Sequence, residues 1–441
     1  MTIYAQSSGR GRAAIAVIRV SGPQAGSALR TLTGRALPPA RRASLRRLAD
    51  PKTGAPIDQA LVLWFPSPAS ETGEDLVEFH VHGGEAVREA LFEALSRMPG
   101  LEPAAPGAFA RQAFRNGKLD LTKIEGLADV VDAVTEAQRR QALRQLDGQL
   151  GQLYERWREA LLGLQAKVEG EIDFAEDGGP QDVSDAIRSH ILGIRSEITQ
   201  HLADGRRGER LRDGLNVVIL GVPNVGKSTL LNALAQRDVA MVSDIPGTTR
   251  DVLEVALDLD GYPVTLIDTA GLRQAADILE AEGIRRALRR AETADLRIVL
   301  VDALAWPDVD QQTKAQLGPD SVLVVSRTDL NPDLSGAMLE GRPVLSVSAK
   351  TGRGIEGLVA TIAGVAKTKL DLADGLAPTR ARHRQALEQA AADLGRAIEA
   401  RSLELFAEDL RLGIRALGRI TGRVDVEDML DRLFAEFCIG K

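Results

Sequence analysis

The chain has very little cysteine and histidine and no long apolar run, and each scarcity excludes a class of protein. One cysteine, Cys438, among 441 residues rules out an internal disulfide framework and fits a reducing compartment. His80 and His82 have no cysteine or third ligand near them in sequence, so they make a poor metal site. No stretch approaches the ~20 apolar residues of a membrane span, and the N-terminus lacks a signal-peptide core. We therefore expect a cytoplasmic protein without a membrane partner.

The charge balance limits the partners of the chain. It carries 55 basic and 62 acidic residues, a formal charge of −7, which argues against nonspecific binding of nucleic acid by the whole surface. A local basic face remains possible, although the same arginines can equally form solvated helix faces. The candidate clusters are Arg206, Arg207, Arg210 and Arg212; Arg285, Arg286, Arg289 and Arg290; and Arg380, Arg382 and Arg384.

Hydrophobic periodicity predicts the domain organisation. Residues 1–118 contain short strand-like runs separated by Pro-Gly turns, which is typical of an α+β domain. Residues 119–212 and 373–441 have helical three- and four-residue spacing, and the intervening residues 213–372 alternate strands and helices. Asp260-Gly261 between two strand-like runs predicts a hairpin, and hence one antiparallel strand. The sequence therefore predicts a multidomain α+β and α/β protein, with a Ras-like mixed-sheet domain inserted into a discontinuous helical domain.

The most specific motif is a phosphate-binding loop. Residues 221–229 read Gly-Val-Pro-Asn-Val-Gly-Lys-Ser-Thr and lie between a strand-like run and a helical pattern. Glycines let successive backbone N–H groups converge on phosphate oxygens, and the start of the helix adds a favourable dipole. Lys227 supplies a positive charge, and Ser228 supplies a hydroxyl for Mg²⁺. The expected nucleotide contacts in this loop are Asn224, Val225, Gly226, Lys227, Ser228 and Thr229.

Two downstream segments fall where a GTPase has its switches. Thr249 can reach Mg²⁺ and the γ-phosphate, and Asp268, which ends an apolar run, can hold Mg²⁺ through water. The Gly271 N–H can sense the γ-phosphate. The expected contacts in these segments are Ser243, Asp244, Ile245, Pro246, Gly247, Thr248, Thr249, Asp268, Thr269, Ala270 and Gly271.

Selectivity for the base is predicted from two later segments. Ser326-Arg327-Thr328-Asp329 follows the strand-like run 322–325 in the place of a guanine-reading Asn-Lys-x-Asp, and Ser348-Ala349-Lys350 ends the next strand. The Asp329 carboxylate can accept two hydrogen bonds from the guanine edge, which adenine cannot donate. Arg327 can still cover the base, but we expect Ser326 to be too short for the bracing bonds of Asn. The prediction is guanine selectivity with weaker affinity than usual.

Hydrolysis requires a group that positions water, and the sequence leaves its identity open. Ras-like proteins use a glutamine after this turn, whereas Leu272 follows Gly271 here, and an apolar side chain cannot orient water. The candidates in the segment that follows are Arg273, Asp277, Glu280 and Glu282. The three acidic residues among them also fit the start of a solvated helix, where the helix dipole favours negative charge.

Taken together, these motifs resemble the MnmE (TrmE) family of tRNA-modification GTPases. The matching segments are 221–228, 244–251, 268–273 and the Cys-Ile-Gly-Lys tail 438–441, with N-terminal segments 72–75, 82–84 and 116–121. The tail is the most specific of these, because general GTPases lack it. By resemblance, two arginines, Arg250 and Arg273, support the switches. Cys438 is either reactive or an inert packing cysteine.

The resemblance also implies a potassium-dependent GTPase. Asn224 would ligate K⁺ together with backbone carbonyls of the loop that contains Ser243, Ile245 and Thr248. Such a cation supplies the charge that an arginine finger supplies in other GTPases. The water-orienting glutamate of the family corresponds to Glu280.

The resemblance further implies a folate site and specific partners. Arg19, Glu78, Lys118 and Lys441 match residues that bind a tetrahydrofolate derivative, either the 5-formyl or the 5,10-methylene form. Basic groups would meet its glutamate tail and an acid would pair with its pterin, although each residue also fits an ordinary surface charge. The family forms homodimers through the N-terminal domain and heterotetramers with an FAD-dependent MnmG (GidA)-type protein. Together they install a (carboxymethyl)aminomethyl group at C5 of the wobble uridine of certain tRNAs.

Two other functions stay open at this point. A ribosome-assembly GTPase shares the phosphate loop, but it usually carries an RNA-binding appendage, and we find no G-x-x-G clamp in a suitable context. Alternatively, a folate-dependent transferase could use the nucleotide domain only for regulation.

Overall fold

The computed structural model describes residues 1–9, 11–176, 184–236, 254–268, 294–331, 334, 337–372, 375–424, 430, 434 and 440. The chain divides into two compact units. The first comprises Met1–Ala128, Gln145–Gly179 and Ala407–Lys441, and the second comprises Asp129–Arg144 and Pro180–Phe406. None of the described helices is long and apolar enough to cross a membrane.

The first unit contains a six-stranded sheet with one face covered by helices and the other face covered, among the described residues, only near Ile3 and Ala5, which pack with Phe109. Its strands are β1 Thr2–Gln6, β2 Ile15–Ser21, β3 Ser44–Ala49, β4 Pro56–Phe65, β5 Leu76–His82 and β6 Leu101–Pro103. Their order is β3-β4-β5-β2-β1-β6, in which only β6 pairs in parallel with its neighbour. Alternate side chains such as Ile18, Val20 and Phe79 are fully buried on the face that packs with α1 Ala25–Thr33 and α2 Glu85–Ser96. Strand β3 forms the free edge of the sheet.

The remaining helices of the first unit follow the predicted apolar spacing. Tyr154, Trp157 and Leu161 are buried at three- and four-residue intervals. Gly148, with φ of 88°, lies between two helices within this pattern, because glycine adopts positive φ readily and so ends one helix before the next begins. The helices, some of which continue into the second unit, are α3 Ala108–Arg115, α4 Leu121–Asp132, α5 Glu136–Leu146, α6 Gln149–Glu176 and α13 Leu403–Thr421.

The second unit contains a seven-stranded mixed sheet. Its strands are β7 Leu215–Gly221, β8 Glu254–Leu259, β9 Tyr262–Asp268, β10 Leu296–Asp302, β11 Ser321–Ser326, β12 Met338–Leu339 and β13 Arg342–Ser346. The order is β12-β13-β11-β10-β7-β9-β8, with a parallel centre and antiparallel pairs at the two edges. Asp260 and Gly261 both have positive φ in the β8–β9 hairpin, as that dipeptide predicts.

Helices complete the second unit. They are α7 Asp185–Leu202, α8 Arg207–Asp213, α9 Lys227–Ala235, α10 Gln311–Lys314, α11 Ile355–Leu370 and α12 Ala381–Glu399. Leu230, Leu234 and Ile362 on α9 and α11 are buried against the strands β7, β9 and β10. The predicted fold class, an α+β N-terminal part with helices and an inserted Ras-like α/β module, is confirmed.

Candidate functional site

The phosphate loop lies at the carboxyl end of the central strand β7. Gly221 has φ of 147°, and a Cβ atom at this position would lie 2.6 Å from the Leu300 carbonyl oxygen of β10. Glycine is therefore required for the loop to leave the sheet so close to its neighbouring strand. Ligands of open α/β sheets bind at this edge, outside the carboxyl ends of the strands.

The loop ends at the start of α9, where backbone donors are available. Gly226 adopts φ of 101° immediately before the helix, and no side chain of the described residues caps it. The first N–H groups of α9 are thus suited to bind an anion. The Lys227 ammonium group is 2.9–3.0 Å from the carbonyl oxygens of Gly221 and Val222 and is held over the loop, with the residue 7% exposed. Ser228 and Thr229 occupy the first turn of the helix.

Ser326 braces the phosphate loop, so the prediction that it is too short to do so is wrong. It ends β11 and is buried, and its hydroxyl donates to the Val225 carbonyl oxygen at 2.7 Å. The Val301 carbonyl oxygen lies farther away, at 3.2 Å, and one hydroxyl has only one hydrogen to donate. The backbone of β11 approaches the loop closely enough for the shorter side chain to reach it. Serine therefore replaces part of the bracing that an asparagine amide can give.

Arg327 makes a second connection to the same loop. One terminal nitrogen of its guanidinium contacts the Asp302 carboxylate at 2.8 Å, and the other donates to the Asn224 carbonyl oxygen at 2.5 Å. Arg327 and Asn224 both adopt left-handed backbone conformations, with φ of 57° and 62°. Asp302 is a site residue that the sequence motifs did not predict, and its only signal is its position at the end of β10, beside the other strand ends that supply site residues.

Asp329 and its partner form the selective part of a cavity of about 270 Å³ beside the loop. The fully buried Ser348 donates a hydrogen bond to the Asp329 carboxylate at 2.7 Å, and this bond, reinforced by Lys350 and Arg327, lowers the pKa of Asp329. Asp329 therefore remains an acceptor at neutral pH. The cavity volume approaches the ~300 Å³ lower end of small-molecule sites. Its lining residues are Gly226, Thr229, Leu230, Ser326, Arg327, Asp329, Leu330, Val347, Ala349 and Lys350.

The cavity is lined by the predicted base-reading residues except Thr328 and Ser348, both of which are buried in the protein. The Thr328 N–H donates to the Val347 carbonyl oxygen, and its side chain is buried. Thr328 thus fixes the turn that aims its neighbours Arg327 and Asp329.

Two of the predicted folate residues, Arg19 and Glu78, lie side by side on the sheet of the first unit. Arg19 and Glu78 are directly opposite each other on β2 and β5, with a guanidinium–carboxylate distance of 2.9 Å. The other terminal nitrogen of Arg19 contacts Glu71 at 3.0 Å, while its Nε is buried and has no hydrogen-bond partner among the described residues. Lys118 lies at the same loop, because a Cβ atom added to Gly73 would be 3.3 Å from its side chain.

The C-terminal tail reaches the same sheet. The Ser7 hydroxyl, just after β1, donates to the Gly440 carbonyl oxygen at 2.9 Å. A Cβ atom on Gly440 would lie 2.1 Å from the Gln6 carbonyl oxygen, so only glycine fits there. This contact places Gly440 beside the end of β1.

Comparison with known proteins identifies the family of the chain. A model of the GTP-binding protein TrmE N-terminus matches residues 2–118, and a model of the MnmE helical domain matches residues 121–438. The tRNA modification GTPase MnmE of Parvibaculum lavamentivorans is 54% identical over 446 residues, covering 100% of both chains. The chain belongs to the MnmE family of tRNA modification GTPases. The MnmE of Methylobacterium sp. strain 4-46 is also 54% identical, over 100% of this chain and 99% of that protein.

A solved structure with a similar chain segment is the G domain of the FeoB iron transporter of T. maritima. It is 29% identical, covers 34% of this chain and 98% of its own, and has a TM-score of 0.26. That score is too low for the structural likeness to carry an argument.

Several predicted MnmE-family site residues lie outside the described residues. They are Ser243, Asp244, Ile245, Pro246, Gly247, Thr248, Thr249, Arg250, Thr269, Ala270, Gly271, Arg273, Glu280, Cys438 and Lys441, together with the side chain of Asp268. Their roles remain predictions from the family resemblance.

Two of the predicted basic faces of this MnmE-family chain are instead ion-paired. Arg384 lies between two carboxylates, 2.7 Å from Asp204 and 2.5 Å from Glu209. The pairs Arg206–Glu209, Arg210–Asp295, Arg212–Asp129 and Arg380–Asp129 span 2.8–3.0 Å. These arginines hold the helices α8 and α12 in the second unit, so they do not form a free cationic surface. The Arg285–Arg290 cluster lies outside the described residues.

Proposed function

We propose that this MnmE-family chain is a potassium-dependent GTPase that installs a (carboxymethyl)aminomethyl group at C5 of the wobble uridine of certain tRNAs. In this proposal it acts in the cytoplasm, with an FAD-dependent MnmG-type partner and a tetrahydrofolate one-carbon unit. The main support is the Asp329–Ser348 pair beside a complete phosphate loop, in a chain that belongs to the MnmE family. A charged acceptor at this position favours guanine, because adenine would leave it unpaired.

The phosphate loop suits the two proposed cations. Arg327 donates a hydrogen bond to the backbone carbonyl oxygen of Asn224, so the proposed K⁺ ligand of this residue is its side-chain amide oxygen. That oxygen is a suitable ligand for K⁺, alongside the proposed ligands Ser243, Ile245 and Thr248. Ser228 and Thr249 would supply hydroxyl oxygens to Mg²⁺, which prefers oxygen ligands. When bound, K⁺ would add positive charge where negative charge develops during phosphoryl transfer.

Other residues of the chain would bind the phosphates, fix the loop, orient the water and support the switches. The helix start and Lys227 hold the phosphates, and the braces from Ser326 and Arg327 fix the loop geometry. Glu280 is proposed to orient the attacking water, with Arg250 and Arg273 supporting the switches. Cys438 is proposed to act in tRNA modification rather than in GTP hydrolysis.

The folate proposal rests on the arrangement around Arg19. Its two terminal nitrogens are held by Glu71 and Glu78, which suits Arg19 to orient Glu78 rather than to bind a carboxylate freely. Glu78 would then pair with the amino-pyrimidine edge of the pterin, and Lys118 with Lys441 would meet the glutamate tail. The buried Nε of Arg19 provides a donor that a ligand can satisfy.

A homodimer through the N-terminal domain is supported by the open face of the six-stranded sheet. Leu45 and Leu61 are directly opposite on β3 and β4 and are 55% and 45% exposed, and Ile15 on β2 is 58% exposed. These apolar side chains alternate with the buried residues of the other face, so they share one surface. Apolar surface of this kind is a common dimer contact. We also propose the three-domain division at residues 118, 212 and 372.

The deciding experiment compares GTP turnover by the full chain in KCl and in NaCl at equal ionic strength. The proposal expects hydrolysis that is much faster in KCl, and an Asn224→Ala variant that loses the difference while still binding GDP. Equal rates in both salts would eliminate the cation-assisted mechanism. In parallel, tRNA from cells that lack the gene should lack the wobble-uridine modification. Rescue by a Lys227→Ala variant would instead favour a transferase that nucleotide only regulates.

A further inference from the structure

A short segment of the first unit has a charge opposite to that of the whole chain. Residues 35–52 contain six basic residues and one acidic residue, a formal charge of +5, while the chain as a whole carries −7. The segment runs from the end of α1 through β3, which is the edge strand of the six-stranded sheet. Positive charge is therefore concentrated on one edge of an acidic protein.

Most cations of this segment have no carboxylate partner among the described residues. The nearby carboxylates are engaged elsewhere, since Asp50 contacts Arg97 at 2.9 Å and Asp58 contacts His82 at 2.8 Å. Arg41 is also occupied, because it donates to the Ala69 carbonyl oxygen and lies 5.7 Å from the Phe65 ring. The remaining cations have no ion pair within the described part of the chain, and we name them the basic edge: Arg35, Arg42, Arg46, Arg47 and Lys52.

Two of these cations lie on β3 itself, while Arg35 and Arg42 precede the strand and Lys52 follows it. Arg46 and Arg47 are adjacent in an extended strand, so they project on opposite sides of the sheet. Arg35, Arg42, Arg47 and Lys52 are exposed, and Arg46 is half-buried. This contrasts with Arg210 and Arg212 on α8 and Arg384 on α12, each of which contacts a carboxylate.

We propose that the basic edge binds the phosphate backbone of RNA and so docks the tRNA on the first unit. This inference rests on the proposed function, which supplies tRNA as the substrate. Four of the five cations are arginines, whose planar guanidinium matches phosphate oxygens in a two-point contact. Residues 35–52 include no aromatic side chain on which bases could stack, so the contact is with the backbone rather than with unpaired bases. Binding at this surface is therefore independent of sequence.

The test removes charge from the three exposed arginines in the full chain, as Arg35→Gln, Arg42→Gln and Arg47→Gln together. Affinity for an unmodified tRNA transcript is measured by fluorescence anisotropy at about 50–200 mM salt, where phosphate contacts respond strongly. Three lost contacts should reduce the slope of log K against log salt by about 2, and should weaken binding about 100-fold near 0.1 M salt. Replacement of the same three residues by lysine should preserve most of the slope.

The control variant carries Arg139→Gln, Arg140→Gln and Arg411→Gln, which replace three exposed arginines on the helices α5 and α13. It changes the net charge of the chain by the same amount as the basic-edge variant. The inference expects this variant to bind tRNA like the wild type. It is overturned if the wild type does not bind tRNA, if both triple variants weaken binding equally, or if neither does. It is also overturned if the glutamine variant of the basic edge binds tRNA like the wild type but no longer binds phosphatidylserine vesicles that the wild type binds.

Intrinsic GTP turnover without tRNA separates this inference from the proposed function. The basic edge lies in the first unit and the nucleotide cavity in the second, so the glutamine variant should hydrolyse GTP at the wild-type rate. Failure of the wild type to hydrolyse GTP would refute the proposed function, while the tRNA titration would still decide the role of the basic edge.

Discussion

Replacing Ser326 by alanine tests whether a single hydroxyl braces the nucleotide site. In the structure this hydroxyl donates to the Val225 carbonyl oxygen at 2.7 Å, and Val225 is only 1% exposed. The substitution leaves that carbonyl without its donor in a buried position. An unsatisfied buried acceptor costs about 1–3 kcal/mol. If about 1.4 kcal/mol of this appears as lost nucleotide binding, GDP affinity falls about tenfold.

The assay is a titration of the full chain with a fluorescent GDP analogue, together with urea unfolding of the same samples. Ser321→Ala is the matched control, because Ser321 begins the same strand and its hydroxyl also donates to a backbone carbonyl, that of Gly318 at 2.7 Å. It lies at the opposite end of β11 from the loop, so it should change stability but not GDP affinity. Wild-type GDP affinity in Ser326→Ala, or equal losses in both variants, would refute the bracing role.

Three further perturbations have defined outcomes. Asp302→Asn removes the charge that holds the partly exposed Arg327, and pairs of this kind contribute about 0.2–1 kcal/mol, so GDP should dissociate about 1.4- to fivefold faster in stopped-flow measurements. Ser348→Ala removes the main cause of the lowered pKa of Asp329, so this pKa should rise. Only the ionised carboxylate accepts hydrogen bonds from guanine. As the pH is lowered, the variant should therefore lose GDP binding at a higher pH than the wild type does. An unchanged acid limb would contradict that assignment. Gly440→Ala should displace the C-terminal tail and reduce wobble-uridine modification in cells, yet leave GTP turnover unchanged; full modification would show that the tail contact is dispensable.

Sequence alone determined those features that depend on local pattern. The phosphate loop, the Asp260-Gly261 hairpin and the alternation of strands and helices follow from spacing and turn chemistry, which act over a few residues. The family resemblance rests on motifs of the same local kind. For this reason the Ras-like module and the α+β N-terminal part were predictable.

Tertiary structure decided which side chains meet across the fold. Ser326 reaches Val225 because two distant segments approach within hydrogen-bond distance, a separation that side-chain length alone could not predict. Asp302 joined the site only when β10 and β11 paired in parallel and brought their carboxyl ends together. The arginine clusters show the same dependence, since those of α8 and α12 meet carboxylates while the basic edge does not. The sequence shows where arginines cluster, but whether each arginine forms an ion pair depends on carboxylates that are remote in the chain.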